Sequence, residues 1–329
     1  MSLWPPPPLG GECAERLRER YARTLDPALL RAEIDRAVQA GDVDPLAIDR
    51  LGTRQVDLKQ DRFIVFVDID DRRRGRVELV AKGYNDDRAR RIAHNHRLLW
   101  DGGLGDGGAV RTSRPWGVVA SLGIALSERL PGEPPPILDT AGARRAAQAA
   151  ACLHACDGGL EPAFTLEAAL DNAERHARRI AKRAPDLAAG AVAIAHRARA
   201  VGELVAGGAE LRPIHGDLWL DSVLLDAERT FLFDWDISCR FDPAWDVGYF
   251  VAQQRRLGLQ DGVDTTAARA AFLAAYLEAG GAGAAFEARA AFYEALTYLH
   301  KTIAVPRTAW DPMVPALLEL ADAGMAALA

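Results

Sequence analysis

The segment PIHGDLWLDSVLLDAERTFLFDWDISCRFDPAWDVGYF, residues 213–250, carries most of the chemical information in this chain. It is rich in carboxylates, and several of them stand beside apolar residues that should be buried: Asp217, Asp221, Asp226, Asp234, Asp236, Asp242 and Asp246. Burying so many carboxylates is costly unless a cation compensates them. Because Mg²⁺ prefers oxygen ligands and usually arrives with substrate phosphates, the set indicates a metal-phosphate site. For Asp226 alone we favour the alternative, a turn or cap residue.

The segment lies inside the second of two halves that differ in pattern. In the first half, residues 12–41 predict two short helices, and residues 62–69 and 76–84 predict a β-hairpin around a polar turn. The prolines Pro5–Pro8 predict an extended tail before the first helix. The second half is alanine-rich, and outside the aspartate-rich segment it predicts helices at 140–157, 165–183, 186–206, 245–256, 264–279, 284–305 and 312–328.

The composition narrows the class of protein. The 329 residues are 49% hydrophobic and 26% charged, which is typical of a soluble globular protein. The formal net charge of −6 argues against a protein that mainly clamps nucleic acid. No stretch approaches the roughly 18 apolar residues of a membrane-spanning helix, and the start MSLWPPPPLGG does not resemble a secretory signal. Since four cysteines do not make a disulfide framework, we expect a cytoplasmic protein without nucleic-acid or membrane partners.

Two other patterns have simpler explanations than a ligand site. GLGDGG, residues 103–108, has the letters of a dinucleotide motif, but it follows a predicted helix and not a strand. A flexible connection from helix to strand is therefore favoured. Cys152 and Cys156 stand one helical turn apart with His154 between them, but no second ligand pair lies at zinc spacing. Two small buried thiols on an alanine-rich helix explain this pair.

The aspartate-rich segment resembles a known family. His215-Gly216-Asp217, followed by Ser222 and Asp234, is similar to the H-G-D-x-x-x-x-N … D-W signature of the aminoglycoside phosphotransferase and choline kinase-like family. Further matches, weaker alone, occur at DPAWD (242–246), Val80-Ala81-Lys82, SERLPG (127–132) and AACLH (150–154). The resemblance covers most of the chain but leaves out residues 1–45.

The resemblance implies a fold and a division of the chain. The fold class is α+β, a bilobal protein-kinase-like fold with a small N-terminal β-sheet lobe and a large helical C-terminal lobe. The implied parts are an N-terminal tail and helical extension at 1–45, the sheet lobe at 46–126, a hinge at 127–136 and the helical catalytic lobe at 137–329.

The resemblance also implies roles for single residues. Asp217 would accept or orient the proton of the attacking hydroxyl. Asp234 and Ser222 would hold Mg²⁺, which bridges the nucleotide phosphates. Lys82 would neutralise the α- and β-phosphates of ATP. The remaining roles are adenine binding by the backbone of Glu128, Arg129 and Leu130, ordering of the catalytic loop by His215 and Asp246, and support of metal or substrate by Asp221, Asp236 and Asp242.

Three departures from the family pattern leave a second function open. Ser222 stands where the family has a metal-binding asparagine. No glutamate partner for Lys82 is obvious, since HNH (94–96) occupies its expected place. LGTRQVDLKQDRF (51–63), where a nucleotide-covering loop belongs, contains a single glycine.

The leading hypothesis is an ATP- and Mg²⁺-dependent kinase that acts on a hydroxyl of a small molecule. The acidic cluster would suit a cationic substrate. The alternative is a nucleotide-binding pseudokinase, and the sequence predicts no oligomeric state.

Overall fold

The computed structural model describes residues 11–59, 61–280, 284–302 and 310–329. The chain divides into two compact units, and the boundary falls between Pro131 and Gly132, inside the segment proposed as a hinge. The tail expected at Pro5–Pro8 lies outside the described residues. Within the described residues, no helix is both long and apolar enough to cross a membrane.

The N-terminal unit begins with the two helices that the sequence predicts. Its helices are α1 (Gly11–Leu25), α2 (Pro27–Ala40) and α3 (Arg88–Leu99). The Asp26 carboxylate caps α2 by accepting from the backbone N–H groups of Ala28 and Leu29 at 2.9 and 3.1 Å. Gly41 ends α2 in the left-handed conformation, with φ of 78°, which glycine adopts without steric cost.

The strands of the N-terminal unit are β1 (Ile48–Leu58), β2 (Arg62–Asp71), β3 (Gly75–Tyr84), β4 (Val110–Thr112), β5 (Pro115–Val119) and β6 (Ile124–Glu128). Five of them form an antiparallel sheet in the order β1-β2-β3-β6-β5. The predicted hairpin is confirmed as β2 and β3. Asp71 stabilises its turn by accepting from the N–H groups of Arg73 and Arg74 at 2.8 and 2.9 Å.

Strand β1 occupies the place where the family pattern puts a nucleotide-covering loop. It pairs with β2 from Ile48 to Leu58, with two irregularities in the register. Most of its side chains are exposed or half-buried, because β1 is at the edge of the sheet. An edge strand of this kind lacks the strict alternation of apolar residues by which strands are found in sequence.

The first two helices contribute to the core of the sheet unit. Alternate residues of β2 (Phe63, Val65, Val67 and Ile69) are fully buried, which shows that one sheet face is covered. Leu17 of α1 and Leu30 and Ile34 of α2 belong to the same apolar cluster. Helices α1 and α2 therefore pack onto the sheet.

The C-terminal unit is helical except for the aspartate-rich segment. Its helices are α4 (Thr140–Ala155), α5 (Leu166–Arg183), α6 (Ala188–Val205), α7 (Ala244–Asp261), α8 (Thr266–Ala279), α9 (Ala284–Lys301) and α10 (Trp310–Ala326). The predicted helices are confirmed, although the predicted end of the sixth at 305 lies outside the described residues. A sheet-containing unit followed by a helical unit confirms the predicted α+β class.

Two short antiparallel ladders interrupt these helices. Their strands are β7 (Arg212–Ile214), β8 (Val223–Leu225), β9 (Thr230–Leu232) and β10 (Cys239–Phe241). Strand β7 pairs with β10, and β8 pairs with β9. The loops that follow β7 and β9 carry Asp217 and Asp234, so the ladders determine where these two carboxylates lie.

Candidate active site

The loop His215-Gly216-Asp217 follows strand β7 directly. Gly216 has φ of 84°, and a Cβ atom there would lie 2.9 Å from the carbonyl oxygen of Ile237. Both the backbone conformation and the close approach therefore require glycine at this position. The turn that Gly216 permits places Asp217 immediately after the strand.

The first turn of α7 holds this loop. The fully buried carboxylate of Asp246 accepts from the backbone N–H of His215 at 2.7 Å and from that of Gly216 at 2.8 Å. The indole N–H of Trp245 donates to the carbonyl oxygen of Gly216 at 3.0 Å. Asp246 thus makes the backbone contacts expected of a loop-ordering residue, and its effect on activity stays a prediction.

A second pair of side chains supports Asp246. His154 Nε2 lies 3.1 Å from Asp246 Oδ2, and His154 Nδ1 lies 2.7 Å from the hydroxyl of Tyr276. Because a carboxylate can only accept, Nε2 carries the proton and Nδ1 accepts from the tyrosine. Burial raises the pKa of Tyr276 well above its usual value, which keeps this hydroxyl protonated. His154, between the two cysteines, therefore contacts the carboxylate that holds the loop. Of the two thiols predicted to be buried, Cys156 is buried and Cys152 is exposed, so the prediction is wrong for Cys152.

His215 connects the loop to the end of strand β9. Its Nε2 donates to the carbonyl oxygen of Phe233 at 2.8 Å, and its Nδ1 lies 3.4 Å from the backbone nitrogen of Asp217. One neutral tautomer satisfies both contacts. Phe233 directly precedes Asp234 in the chain. The His215 ring therefore contacts the backbone beside both carboxylates, Asp217 and Asp234, to which the family pattern gives a role.

Asp234 has an unusual backbone. Its φ is 71°, in the left-handed region, and its side chain is exposed. Aspartate tolerates this region better than most residues, yet strain of this kind costs on the order of 1 kcal/mol and concentrates at functional sites. An exposed carboxylate at the end of a short buried strand fits a ligand of Mg²⁺.

Ser222 is engaged by its own turn. Its hydroxyl donates to the carbonyl oxygen of Trp219 at 2.8 Å and accepts from the N–H of Trp219 at 2.9 Å. The residue is 2% exposed. The hydroxyl proton and one lone pair are therefore used, so Ser222 fits a metal ligand less well than Asp234. In the part of the chain that the structure describes, no three His, Cys, Asp or Glu residues are grouped so that they could hold a metal.

The other aspartates of the segment divide by environment. Asp242 is 1% exposed, and its Oδ2 lies 2.8 Å from Nε of Arg289 on α9, so this carboxylate has a cationic partner within the protein. Asp226 accepts from the N–H groups of Glu228 and Arg229 at 2.8 and 2.6 Å, which confirms the turn role. Asp221 is exposed and Asp236 is half-buried. Metal or substrate support by Asp221 and Asp236 stays a prediction.

Sequence reasoning missed two residues beside Asp217. The hydroxyl of Tyr249 on α7 donates to Asp217 Oδ1, and the ammonium of Lys301 at the end of α9 donates to the tyrosine oxygen. Lys301 Nζ also lies 4.5 Å from the centroid of the Tyr249 ring. The sequence carries no local signal for this contact, because Lys301 is far from Asp217 along the chain.

In the N-terminal unit, Lys82 lies half-buried on β3, paired in register with Ile64 and Ala125. His96 cannot replace a glutamate as an anionic partner, because an imidazole is either neutral or cationic. Burial lowers the pKa of His96 to about 4, so the ring stays neutral. The Nε2 atom of His96 lies 3.1 Å from the hydroxyl of Thr112.

The segment predicted to bind adenine is partly engaged by the sheet. The N–H of Glu128 donates to the carbonyl of Arg114 at 2.8 Å, and the N–H of Arg129 donates to the carbonyl of Glu78 at 2.9 Å. These two N–H groups are therefore already used within the protein, and adenine binding by the backbone of Glu128, Arg129 and Leu130 stays a prediction.

Comparison with known proteins gives a family match. The sequence model of the phosphotransferase enzyme family matches residues 62–293. No curated protein matches the chain.

Solved structures give the fold. A choline/ethanolamine kinase family protein from Mesorhizobium loti superposes with a TM-score of 0.58 at 16% identity, over 94% of this chain and 98% of that one. An aminoglycoside phosphotransferase from Alicyclobacillus acidocaldarius superposes with a TM-score of 0.57 at 14% identity, over 88% of this chain and 93% of that one. A spectinomycin phosphotransferase, solved with ADP and spectinomycin, superposes with a TM-score of 0.53 at 10% identity, over 84% of this chain and 93% of that one.

Proposed function

Because this chain belongs to the phosphotransferase enzyme family and has the protein-kinase-like fold of its structural neighbours, we propose that it is an ATP- and Mg²⁺-dependent kinase that phosphorylates a hydroxyl of a small molecule. The observation that supports this most is the loop of Asp217, which Asp246 holds through two backbone N–H groups. The ADP of the spectinomycin phosphotransferase supports the nucleotide. A cytoplasmic location stays a prediction.

Phosphoryl transfer depends mainly on positioning and on neutralising charge, and the residues divide between these tasks. Asp217 would accept or orient the proton of the acceptor hydroxyl. Asp234 would hold Mg²⁺, which when bound neutralises charge on the nucleotide phosphates. Lys82 would neutralise the α- and β-phosphates, and the backbone of Glu128–Leu130 would bind adenine.

A coupled ATPase screen of hydroxyl-bearing metabolites, aminoglycosides included, tests the proposal. With an acceptor identified, Asp217→Asn should lower the transfer rate by about 10²- to 10⁴-fold and leave ATP affinity nearly unchanged, because Asp217 acts on the acceptor hydroxyl. Asp226→Asn, in an exposed turn, is the matched control and should transfer at the wild-type rate. Wild-type turnover in Asp217→Asn would show that the assignment of Asp217 is wrong.

The hydroxyl of Ser222 favours a second candidate, a nucleotide-binding pseudokinase. If its engagement with Trp219 removes the second metal ligand, the protein could bind nucleotide without transferring phosphate. Thermal shifts with ATP, measured with and without Mg²⁺, distinguish the candidates together with the screen. A Mg²⁺-dependent shift with turnover supports the kinase, whereas a shift without turnover on any acceptor supports the pseudokinase.

A cationic substrate is a finer proposal within the kinase. Since Asp242 pairs with Arg289, this preference rests on Asp221 and Asp236. The structural neighbour from Mesorhizobium loti is named as a choline/ethanolamine kinase family protein, and choline and ethanolamine are cationic alcohols. Choline and 3,3-dimethylbutanol have the same shape and differ in charge, so equal rates with the two acceptors would contradict the preference.

A further inference from the structure

Hydrogen bonds connect the half-buried Asp217 to two buried side chains, Tyr249 and Lys301, which have no role in the proposed reaction as described above. Tyr249 is fully buried and Lys301 is 9% exposed. The lysine donates to the tyrosine hydroxyl, and this hydroxyl donates to Asp217 Oδ1. A buried lysine is costly in a protein interior, so its place beside the catalytic loop calls for an explanation.

The chemistry of the three groups determines which atom donates in each of these two hydrogen bonds. An ammonium group can only donate, and an ionised carboxylate can only accept. The lysine therefore takes a lone pair of the tyrosine oxygen, and the hydroxyl proton points to Asp217. With Oδ1 held in this way, Oδ2 is the oxygen that remains to meet an acceptor hydroxyl.

The surrounding charges are compatible with this direction at neutral pH. Burial lowers the pKa of Lys301 to about 8; the nearby Arg256 acts in the same direction, whereas Asp217 opposes it. Burial and the negative charge of Asp217 raise the pKa of Tyr249 well above its usual value, so the phenol stays protonated. Among the residues that the structure describes, Asp246, His176 and His300 are further titratable groups that act on this cluster, and burial lowers the pKa of both histidines.

We propose that Tyr249 is a positioning residue for Asp217 and that Lys301 sets the direction of its hydrogen bond, so that one carboxylate oxygen is held while the other faces the acceptor hydroxyl. The inference rests on the proposed function, since positioning matters only if Asp217 takes part in phosphoryl transfer. It adds two helices, α7 and α9, to the parts of the fold that determine the geometry of the reacting group.

The test is a double-mutant cycle between Tyr249→Phe and Asp217→Asn. Tyr249→Phe should lower kcat by about 10- to 100-fold with the KM for ATP unchanged, because Asp217 loses its orientation and the nucleotide contacts remain. Adding Tyr249→Phe to Asp217→Asn should cost no further rate, since the tyrosine acts through that carboxylate. Tyr298→Phe, which removes another buried tyrosine hydroxyl, one that donates to Glu294 on α9, is the control.

Lys301→Met provides a second variant that should fold. It removes a buried charge, so we expect a melting temperature no lower than that of the wild type, with a kcat lowered as in Tyr249→Phe. Wild-type kcat in Tyr249→Phe, or additive losses in the double variant, would overturn the inference and leave the proposed function intact. A wild-type protein that transfers phosphate to no acceptor would overturn both.

Discussion

Asp234 is the only residue other than glycine with a positive φ among the residues that the structure describes. Asp234→Asn keeps a side chain that tolerates this backbone and removes the charge. We expect Mg²⁺-dependent nucleotide binding to be lost, because the phosphates then lack the cation, while the free energy of unfolding changes little. Calorimetric titration with Mg·ATP measures this effect, and unchanged affinity would rule out Asp234 as the metal ligand.

Ser222 is the residue at which the chain departs from its family pattern. Ser222→Ala removes both contacts with Trp219, so the free energy of unfolding should fall by about 1 kcal/mol. The Mg²⁺ concentration for half-maximal rate should stay unchanged, because the hydroxyl already has protein partners. Ser238→Ala, which removes a similar contact with Trp235, is the stability reference. A clearly raised Mg²⁺ requirement in Ser222→Ala would instead identify the hydroxyl as a ligand.

At the scale of elements, the close approach of α7 and α9 depends on Gly248. A Cβ atom there would lie 2.5 Å from the carbonyl oxygen of Ala290 and 2.6 Å from the nitrogen of Glu294. Gly248→Ala should therefore lower the free energy of unfolding by about 1–3 kcal/mol, since the helices must move apart. Urea unfolding measures this change.

The matched control for this helix contact is Gly190→Ala in α6, where a Cβ atom would meet nothing within 4 Å. It should stabilise the protein by about 0.5–1 kcal/mol, because alanine loses less backbone entropy than glycine in a helix. Similar effects of the two alanines would contradict the close packing of α7 against α9.

The elements differ in how well the sequence predicts them. Helices α4 to α10 are long and periodic, so their positions follow from the pattern, and Gly41 marks the end of α2 correctly. The position of strand β1 cannot be read from the sequence pattern, because an edge strand with mostly exposed side chains has no apolar face. The packing of α1 and α2 onto the sheet also depends on contacts between distant residues, which local patterns do not report.

In the molecule as a whole, some residues of the candidate site can be predicted from the sequence and others cannot. The residues from His215 to Asp246 lie close together in the sequence, and their motif indicates a shared function. Tyr249 and Lys301 are brought to Asp217 only by the packing of α7 against α9, so no spacing predicts them. Arg289, the partner of Asp242, is also far from it in the sequence, so the sequence alone does not show that this carboxylate is paired.

Buried histidines in both units should make the stability of the molecule depend on pH. Burial lowers the pKa of His96 and of His176 to about 4, and that of His300 well below its usual value. In the unfolded chain these histidines have the ordinary pKa of about 6.5. Between about pH 6.5 and 4 the unfolded state therefore binds more protons than the folded state, and the free energy of unfolding falls as the pH is lowered.

Urea unfolding at pH 7.5 and 5.5 checks this acid sensitivity, and each histidine adds up to about 1.4 kcal/mol per pH unit to the limiting slope. His96→Gln keeps a polar side chain for Thr112 and cannot take up a proton, so the loss of stability between the two pH values should be smaller. His94→Gln, at an exposed position two residues away, should lose as much as the wild type. If His96→Gln and the wild type lose equal free energy, His96 is not held neutral in the folded state, and the acid sensitivity has another origin.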